Sequence, residues 1–422
     1  MYKKTTLKNG LNVVTSNMPH MESIAIGLWI GVGARYEDKV RSGLSHLMEH
    51  MVFKGTTKRT ANMLKESIEG VGGSFNGFTS EEVTCYLVKL PARYMELGMD
   101  ILSDMVQSPA LDPGDLEREK MVICEEIKMY MDQPGQHVFD VLAHAMWPAH
   151  ALGRPILGYM DTVTNFTRGD LFDFKKDYYQ PANISIVIAG KLDRHKGISF
   201  AKNTFSTPSA RKRFCFPAVR EKHKKSRLEM FNKKTKQTHV AFGFHSLYRD
   251  HKLRYALGLL NVILGGNMSS RLFDSLRERQ GLCYDVSSSV KKYKETGAFI
   301  IHAGVDNHKL LNATKEIVKE VRDIKKNRVK QDELKRAKEY SRGQFLLALE
   351  DTGSRMLWLG DRITQEGEAP PVKKIFKNIE RVTAEDVRRV ANIVFRKQNM
   401  SVATVGPVNK ERKKKIERAL DL

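Results

Sequence analysis

Apolar residues recur along this chain with two periods. From Arg41 to Thr56, Leu44, Leu47, Met48 and Met51 fall at helical spacing, and Gly55 marks a stop. From Asp112 to Pro134 a second helix is predicted: Asp112 caps it, Pro113 takes the first helical position, and Pro134 follows the end. At about 100° per residue, Leu116, Ile123, Ile127 and Tyr130 form one stripe. Glu119 and Glu126 fall on that stripe, two turns apart; Glu125 falls opposite, with Arg118, and Met121 and Met129 lean the same way. The β-rich runs ISIVIAG and MSVATVG, each ending in glycine, predict strands.

Those two strands belong to a repeat. Asn165 to Lys191 aligns with Arg381 to Pro407 at an offset of 216 residues without a gap. Thr167 falls on Thr383, Asp170 on Asp386, Asn183 on Asn399, Ser185 on Ser401 and Gly190 on Gly406. In each copy a threonine N-cap precedes an acid in the first turn, then an amphipathic helix, then a strand. The same offset places Ala25 on Ala241 and Gly27 on Gly243. A period this long is too great for a solenoid. It predicts an α+β chain of two similar domains related by internal duplication, each a mainly antiparallel sheet with packed helices. Residues 1–208 form the first domain, 209–228 a basic linker with Pro217, and 229–422 the second.

Composition narrows the classes. The 422 residues are 41% hydrophobic, enough for real cores, so wholesale disorder is excluded. No run of 18 apolar residues exists, which argues against a spanning helix. The start has no apolar segment behind its lysines, so no secretory signal is expected and the placement is cytoplasmic, a mature organellar form remaining compatible. Cys85, Cys124, Cys215 and Cys283 are scattered, which fits a reducing compartment and argues against a Cys-ligated metal. The net charge of +22 favours anionic partners. No nucleic-acid-binding motif accompanies the basic patches at Arg211 to Arg213, Lys222 to Arg227 and Lys410 to Arg418, so a solvated lysine-rich surface is the expectation.

The first predicted helix carries chemistry. His46-Leu47-Met48-Glu49-His50 is H-x-x-E-H. Histidines four apart lie one turn apart on one face, so both imidazoles can reach one ion at about 2.0–2.1 Å. Glu49 is placed to reach a water on that ion. A catalytic zinc needs a third protein ligand, and Glu119 and Glu126 are the candidates. Carboxylates on a core-facing stripe are costly unless paired or bound to a cation, which favours Glu126 over Glu125. The repeat supplies a control. His46, Glu49 and His50 map onto Val262, Gly265 and Gly266; at a local offset of 218, Glu119 and Glu126 map onto Ala337 and Gln344. Capping and packing positions survive in the second copy, and these do not.

H-x-x-E-H with a helical glutamate 76 residues after its last histidine resembles the pitrilysin-type (M16) zinc peptidases. Within them the chain is similar to the half-size branch of the mitochondrial processing peptidase β-subunit and its bacterial relatives. HLMEHMVFKGT matches the zinc helix and its exit. NGFTSEEVTCY matches a family strand region at Asn76, Thr79, Ser80, Glu82, Thr84 and Tyr86, with Gly77 where alanine is usual. SSRLFDSLRERQGLCYDV matches a second-half motif with a spaced Arg and Tyr. The resemblance implies one Zn²⁺ per chain on His46, His50 and Glu126, Glu49 as general base, and Glu119 as a carboxylate supporting a ligand. It also implies that Asn76 binds the substrate backbone and that Arg277 and Tyr284 face the scissile carbonyl.

The expected function is therefore a zinc-dependent endopeptidase acting on extended peptides, in a chamber formed with a second copy or an inactive paralogue. The alternatives are a non-catalytic partner subunit of the same fold and, further off, a basic nucleic-acid binder. No membrane or nucleic-acid partner is expected.

Overall fold

The computed structural model describes residues 2–208, 215–220, 225–407 and 409–421. The basic run Arg211 to Arg213 and residues 221–224 lie outside them. The chain is α+β with two sheets. The first has strands β1 (Lys3–Thr6), β2 (Asn12–Asn17), β3 (Ser23–Ile30), β4 (Ser74–Thr79), β5 (Thr84–Pro91) and β6 (Ile184–Gly190), in spatial order β1-β2-β6-β3-β5-β4. The second has β7 (Arg227–Asn232), β8 (Gln237–His245), β9 (Cys283–Lys292), β10 (Gly297–Asp306) and β11 (Met400–Gly406), in order β7-β11-β8-β10-β9. Pairing is antiparallel except for β2 with β6 and β7 with β11.

The duplication is visible in these orders, since β2, β6, β3, β5 and β4 answer to β7, β11, β8, β10 and β9. Identical capping boxes start the helices before β6 and β11. The Thr167 hydroxyl donates to Asp170 at 2.6 Å, and the Thr383 hydroxyl to Asp386 at 2.7 Å. The helices Pro113–Asp132 and Gln331–Glu350 have 20 residues each and stand 218 apart. One detail differs. Leu28 pairs with Ile186 and Phe242 with Val402, so β8 is displaced by two residues relative to the uniform offset. An even slip keeps every side chain on its face.

Both faces of each sheet are apolar. In β3, Ile24, Ile26, Leu28 and Ile30 face helices of the first half, while Ala25 and Trp29 face the other way, and all six are buried. The second layer over Ala25 and Trp29 comes from far along the chain: Met356, Leu359 and Ile363 of helix Thr352–Glu366. In return, Val138, Leu142 and Met146 of helix Pro134–Met146 cover Ala241, Ala298 and Ala403 of the second sheet. The central glycines make room for this. A Cβ on Gly27 would stand 2.4 Å from the Met356 sulfur, and one on Gly243 2.5 Å from the Met146 sulfur.

The compact units therefore differ from the expected halves. One comprises residues 1–127, 155–217 and 345–371, the other 128–154, 218–344 and 372–422. The expected linker 209–228 is also shorter than drawn. Phe216 packs in the first unit, its ring centroid 3.9 Å from the Arg35 guanidinium carbon, and Arg227 and Leu228 begin β7. One local expectation changes: Tyr130 is 36% exposed, so the buried stripe of helix Pro113–Asp132 ends at Ile127. Pro134 follows the end of that helix as expected and also opens the next one. Charge divides unevenly: Lys and Arg against Asp and Glu sum to −1 over the first unit and +23 over the second, together the chain's +22. All four cysteines are free, and no described helix is long and apolar enough to cross a membrane.

Beneath helix Pro134–Met146 the second sheet holds an imidazole pair, the buried His302 and the half-buried His239. His239 Nδ1 lies 3.1 Å from His302 Nε2, and His302 Nδ1 lies 3.5 Å from Asp285. Burial pushes the His302 pKa down to about 4; His239 adds to the shift and Asp285 opposes it. The unfolded chain, with an ordinary imidazole, takes a proton that the native site refuses. This contribution is fully present above pH ~6.5 and is lost as pH falls towards 4. We expect His302→Gln to flatten the fall in unfolding temperature between pH 6.5 and 4, measured by calorimetry. An unchanged slope would contradict a neutral buried His302.

Candidate metal centre

The site is built on helix Leu44–Val52. Leu44, Leu47, Met48 and Met51 are buried on one face, which leaves His46, Glu49 and His50 on the other. The helix starts against a buried carboxylate. Glu37 accepts from the Gly43 N–H at 2.8 Å and from the Ser45 N–H at 2.6 Å, satisfying amides that a helix start leaves open.

His46, His50 and Glu126 converge. Glu126 Oε2 is 3.9 Å from His46 Nε2 and 3.7 Å from His50 Nε2, and one ligand atom from each residue lies within 4.8 Å of the others. Two metal–ligand bonds of about 2 Å span such gaps with a shift of a few tenths of an ångström. Among the described residues this is the one such group of three. Burial pushes the His46 pKa down to about 3, with His50 adding, so His46 is held as the neutral imidazole that can ligate. Its Nδ1 is buried without a partner. The donor set fits a divalent cation of the zinc type: two imidazole nitrogens and one carboxylate oxygen, with room for a fourth ligand.

Around these three, other acids are anchored. Glu119 is 5% exposed and uses both oxygens, Oε2 accepting from His50 Nδ1 at 2.9 Å and Oε1 from Lys54 Nζ at 2.6 Å. Burial would raise the Glu119 pKa, but these two partners hold it below the usual range. His50 is shifted the other way: burial opposes, but Glu119 and the charges of Glu126 and Glu49 raise its pKa. Glu49 Oε2 accepts from the Thr79 hydroxyl at 2.6 Å. Burial raises the Glu49 pKa above the ordinary carboxylate value, while Thr79 and His50 counter it.

Asn76 is exposed on β4, the outer strand of the first sheet, where its side-chain oxygen accepts from the Gly77 N–H at 2.8 Å. A Cβ on Gly77 would stand 2.9 Å from the Phe53 ring and 3.1 Å from Glu49 Oε1, so glycine leaves both undisturbed. Arg277 and Tyr284 lie in the second unit and touch each other. The guanidinium carbon is 4.7 Å from the Tyr284 ring centroid, and Tyr284 is 76% exposed.

Residues 12–159 match the family described as insulinase (peptidase family M16), and residues 165–340 match the peptidase M16 inactive domain. The chain belongs to the M16 peptidase family. An uncharacterized zinc protease of Bacillus subtilis is 35% identical over 96% of this chain and 98% of that one. One of Streptomyces coelicolor is 34% identical over 99% and 92%. A protease from Helicobacter pylori superposes with a TM-score of 0.91 at 24% identity, over 96% of this chain and 99% of that one. A Pseudomonas fluorescens peptidase M16 inactive domain superposes with a TM-score of 0.89 at 19% identity, over 97% and 98%. These two likenesses show the M16 fold.

Three side chains beside this M16 site escape a motif reading. Thr79 stands within the matched strand region, but only folding places it on Glu49. Lys54 follows His50 by one helical turn, a spacing that could have suggested a shared face. Glu37 reaches its helix from a loop and leaves no periodic signal. Loss of one holding partner around a ligating His typically weakens metal binding 10–100-fold. Lys54→Met should therefore weaken divalent-cation affinity about tenfold, read by chelator competition, and Lys54→Arg should largely restore it. Glu126→Gln should remove most binding and Glu125→Gln little; if Glu125→Gln strips the cation instead, the assignment of the third ligand fails.

Proposed function

We propose that the chain is a zinc-dependent endopeptidase acting on extended peptides. The observation that carries this reading is the convergence of His46, His50 and Glu126 with Glu49 beside them. The zinc protease names of the full-length relatives support it. His46 Nε2, His50 Nε2 and Glu126 Oε2 would hold the ion. Bound zinc lowers the pKa of its water to about 7 and polarises the carbonyl.

The remaining steps belong to the chain. Glu49, steadied by Thr79, takes the proton from the attacking water and returns one to the leaving amine. Glu119 accepts from His50 Nδ1, which leaves Nε2 for the ion. The free edge of β4 offers backbone groups to an extended substrate, and Asn76 adds a side-chain contact there. Recognition of this kind reads backbone more than side chains, so cleavage preference is broad. Arg277 and Tyr284 donate to the oxygen that becomes negative as the carbonyl is attacked. At the repeat's sequence offsets Val262, Gly265, Gly266, Ala337 and Gln344 replace His46, Glu49, His50, Glu119 and Glu126, and the described residues hold one group of three such ligands, so one ion per chain is the stoichiometry.

A chain with one metal site and two units acts with a partner, a second copy or an inactive paralogue, whose Arg277 and Tyr284 equivalents serve this site. Zinc removal by chelator should abolish peptide cleavage, and Glu49→Gln should keep the metal while losing cleavage; near-normal turnover in that variant would sink the reading. A second test mixes two inactive proteins, Glu49→Gln and the double variant Arg277→Ala with Tyr284→Phe. Under demonstrated subunit exchange, recovered activity is expected from a homodimer with shared sites, and none would rule out sharing between two copies of this chain.

A further inference from the structure

The excess of positive charge belongs to one unit. A compositional drift towards lysine would raise both units together; here the first stands at −1 and the second at +23. Part of that excess lies on two helices of the second unit, Leu310–Lys326 at +2 and Lys410–Ala419 at +4, packed with a third, Ala384–Val394, whose charges balance. They share one core through Val321, Ile324, Val390, Ala391 and Ile416. Polar ties hold them in place. The Asn392 amide donates to the Lys325 carbonyl at 2.9 Å, Arg328 pairs with Glu385 at 2.8 Å, and Lys397 pairs with Asp421 at 2.8 Å.

Much of the outward charge is not consumed by those ties. Lys326, Arg389, Lys413, Lys414 and Arg418 are exposed, and none is in an ion pair among the described residues. Equally telling is what the layer lacks. Among the described residues, none of the exposed large apolar side chains lies on these three helices, where Leu311 and Ile393 are half-buried. Nothing there can insert into the acyl region of a bilayer, which adsorption of an amphipathic helix requires. Nothing there can stack on unpaired bases, the usual grip on single strands. What remains is a set of exposed basic side chains on a rigid support. That suits a partner whose negative charge is regular, closely spaced and already surrounded by condensed counterions. A duplex presents one such charge per about 1.7 Å of axis, and the helix of 17 residues runs about 25 Å alongside it.

We propose that this three-helix layer docks the phosphate backbone of duplex nucleic acid without reading its sequence. The surface involves none of the residues of the metal site, so the proposal stands apart from the peptidase reading. Association is driven by counterion release and is therefore steeply salt-dependent.

The test uses the full chain and fluorescence anisotropy with a labelled DNA duplex of about 20 base pairs and an RNA hairpin of similar stem length. Roughly five phosphate contacts predict a loss of about 500-fold in affinity between about 50 and 200 mM salt for either probe. Neutralising Lys326, Arg389, Lys413, Lys414 and Arg418 to Gln should weaken binding at least tenfold at low salt and flatten the salt slope. Peptide cleavage and unfolding temperature should be unchanged. A control with the same net charge replaces Lys3, Lys8, Lys58, Lys65 and Lys202 of the first unit by Gln, and should bind like the parent. Absence of binding at low salt overturns the proposal. So does equal weakening in both variants, which would reduce the effect to net charge. So does tight adsorption to phosphatidylglycerol vesicles that duplex fails to displace, which would make the partner a lipid surface.

Discussion

A sheet that is apolar on both faces has to be covered twice, and each half of this chain covers its own sheet only once. Ala25 and Trp29 on one sheet, and Ala241 and Ala403 on the other, would otherwise expose apolar surface worth about 25 cal/mol per Å². The remedy is reciprocal: helix Pro134–Met146 leaves the first half to cover the second sheet, and helix Thr352–Glu366 leaves the second half to cover the first. Each is preceded by a helix of 20 residues in which one compact unit gives way to the other, after Ile127 and after Gln344. Glu119 and Glu126 sit on the first of these crossing helices. The candidate third ligand is thus carried by the segment that the covering requirement forces out of its own half.

At the site itself, order comes from buried acids that each have a fixed donor. Glu37 holds the start of the histidine helix, Glu119 is pinned between Lys54 and His50, and Glu49 rests on Thr79. A buried carboxylate without such partners would be costly. With them it becomes a rigid strut, so the imidazoles and the candidate base are set before any ligand arrives.

Much of this was legible in the residues and some was not. The duplication could be read because caps and strand ends obey local rules: Thr167 with Asp170 and Thr383 with Asp386 make the same box in both copies. The phase of helix Pro113–Asp132 was legible because Leu116, Ile123 and Ile127 follow helical period, and that phase sets Glu126 beside the histidines and Glu125 in solvent. Tyr130 broke the stripe because beyond Ile127 the helix leaves the first unit's core. The exchange of covering helices was invisible, since nothing in a local pattern says which of two apolar sheets an apolar helix will meet. Lys54 and Thr79 act through contacts 65 and 30 residues away along the chain, and periodicity does not report those. The single figure of +22 likewise concealed its division between a nearly neutral unit and a basic one.

The covering exchange also sets the order in which the molecule can be finished while it is being made. The strands of the first sheet are complete once residue 190 has been synthesised, yet Met356, Leu359 and Ile363, which close over Trp29, are added long after. At about 5–20 residues per second, the stretch from residue 217 to 371 takes roughly 8–30 s. Through that interval the emerging chain holds a metal-site unit with one bare apolar sheet face. The first unit therefore waits, for the cover of its second sheet face, on a helix made well after its last strand.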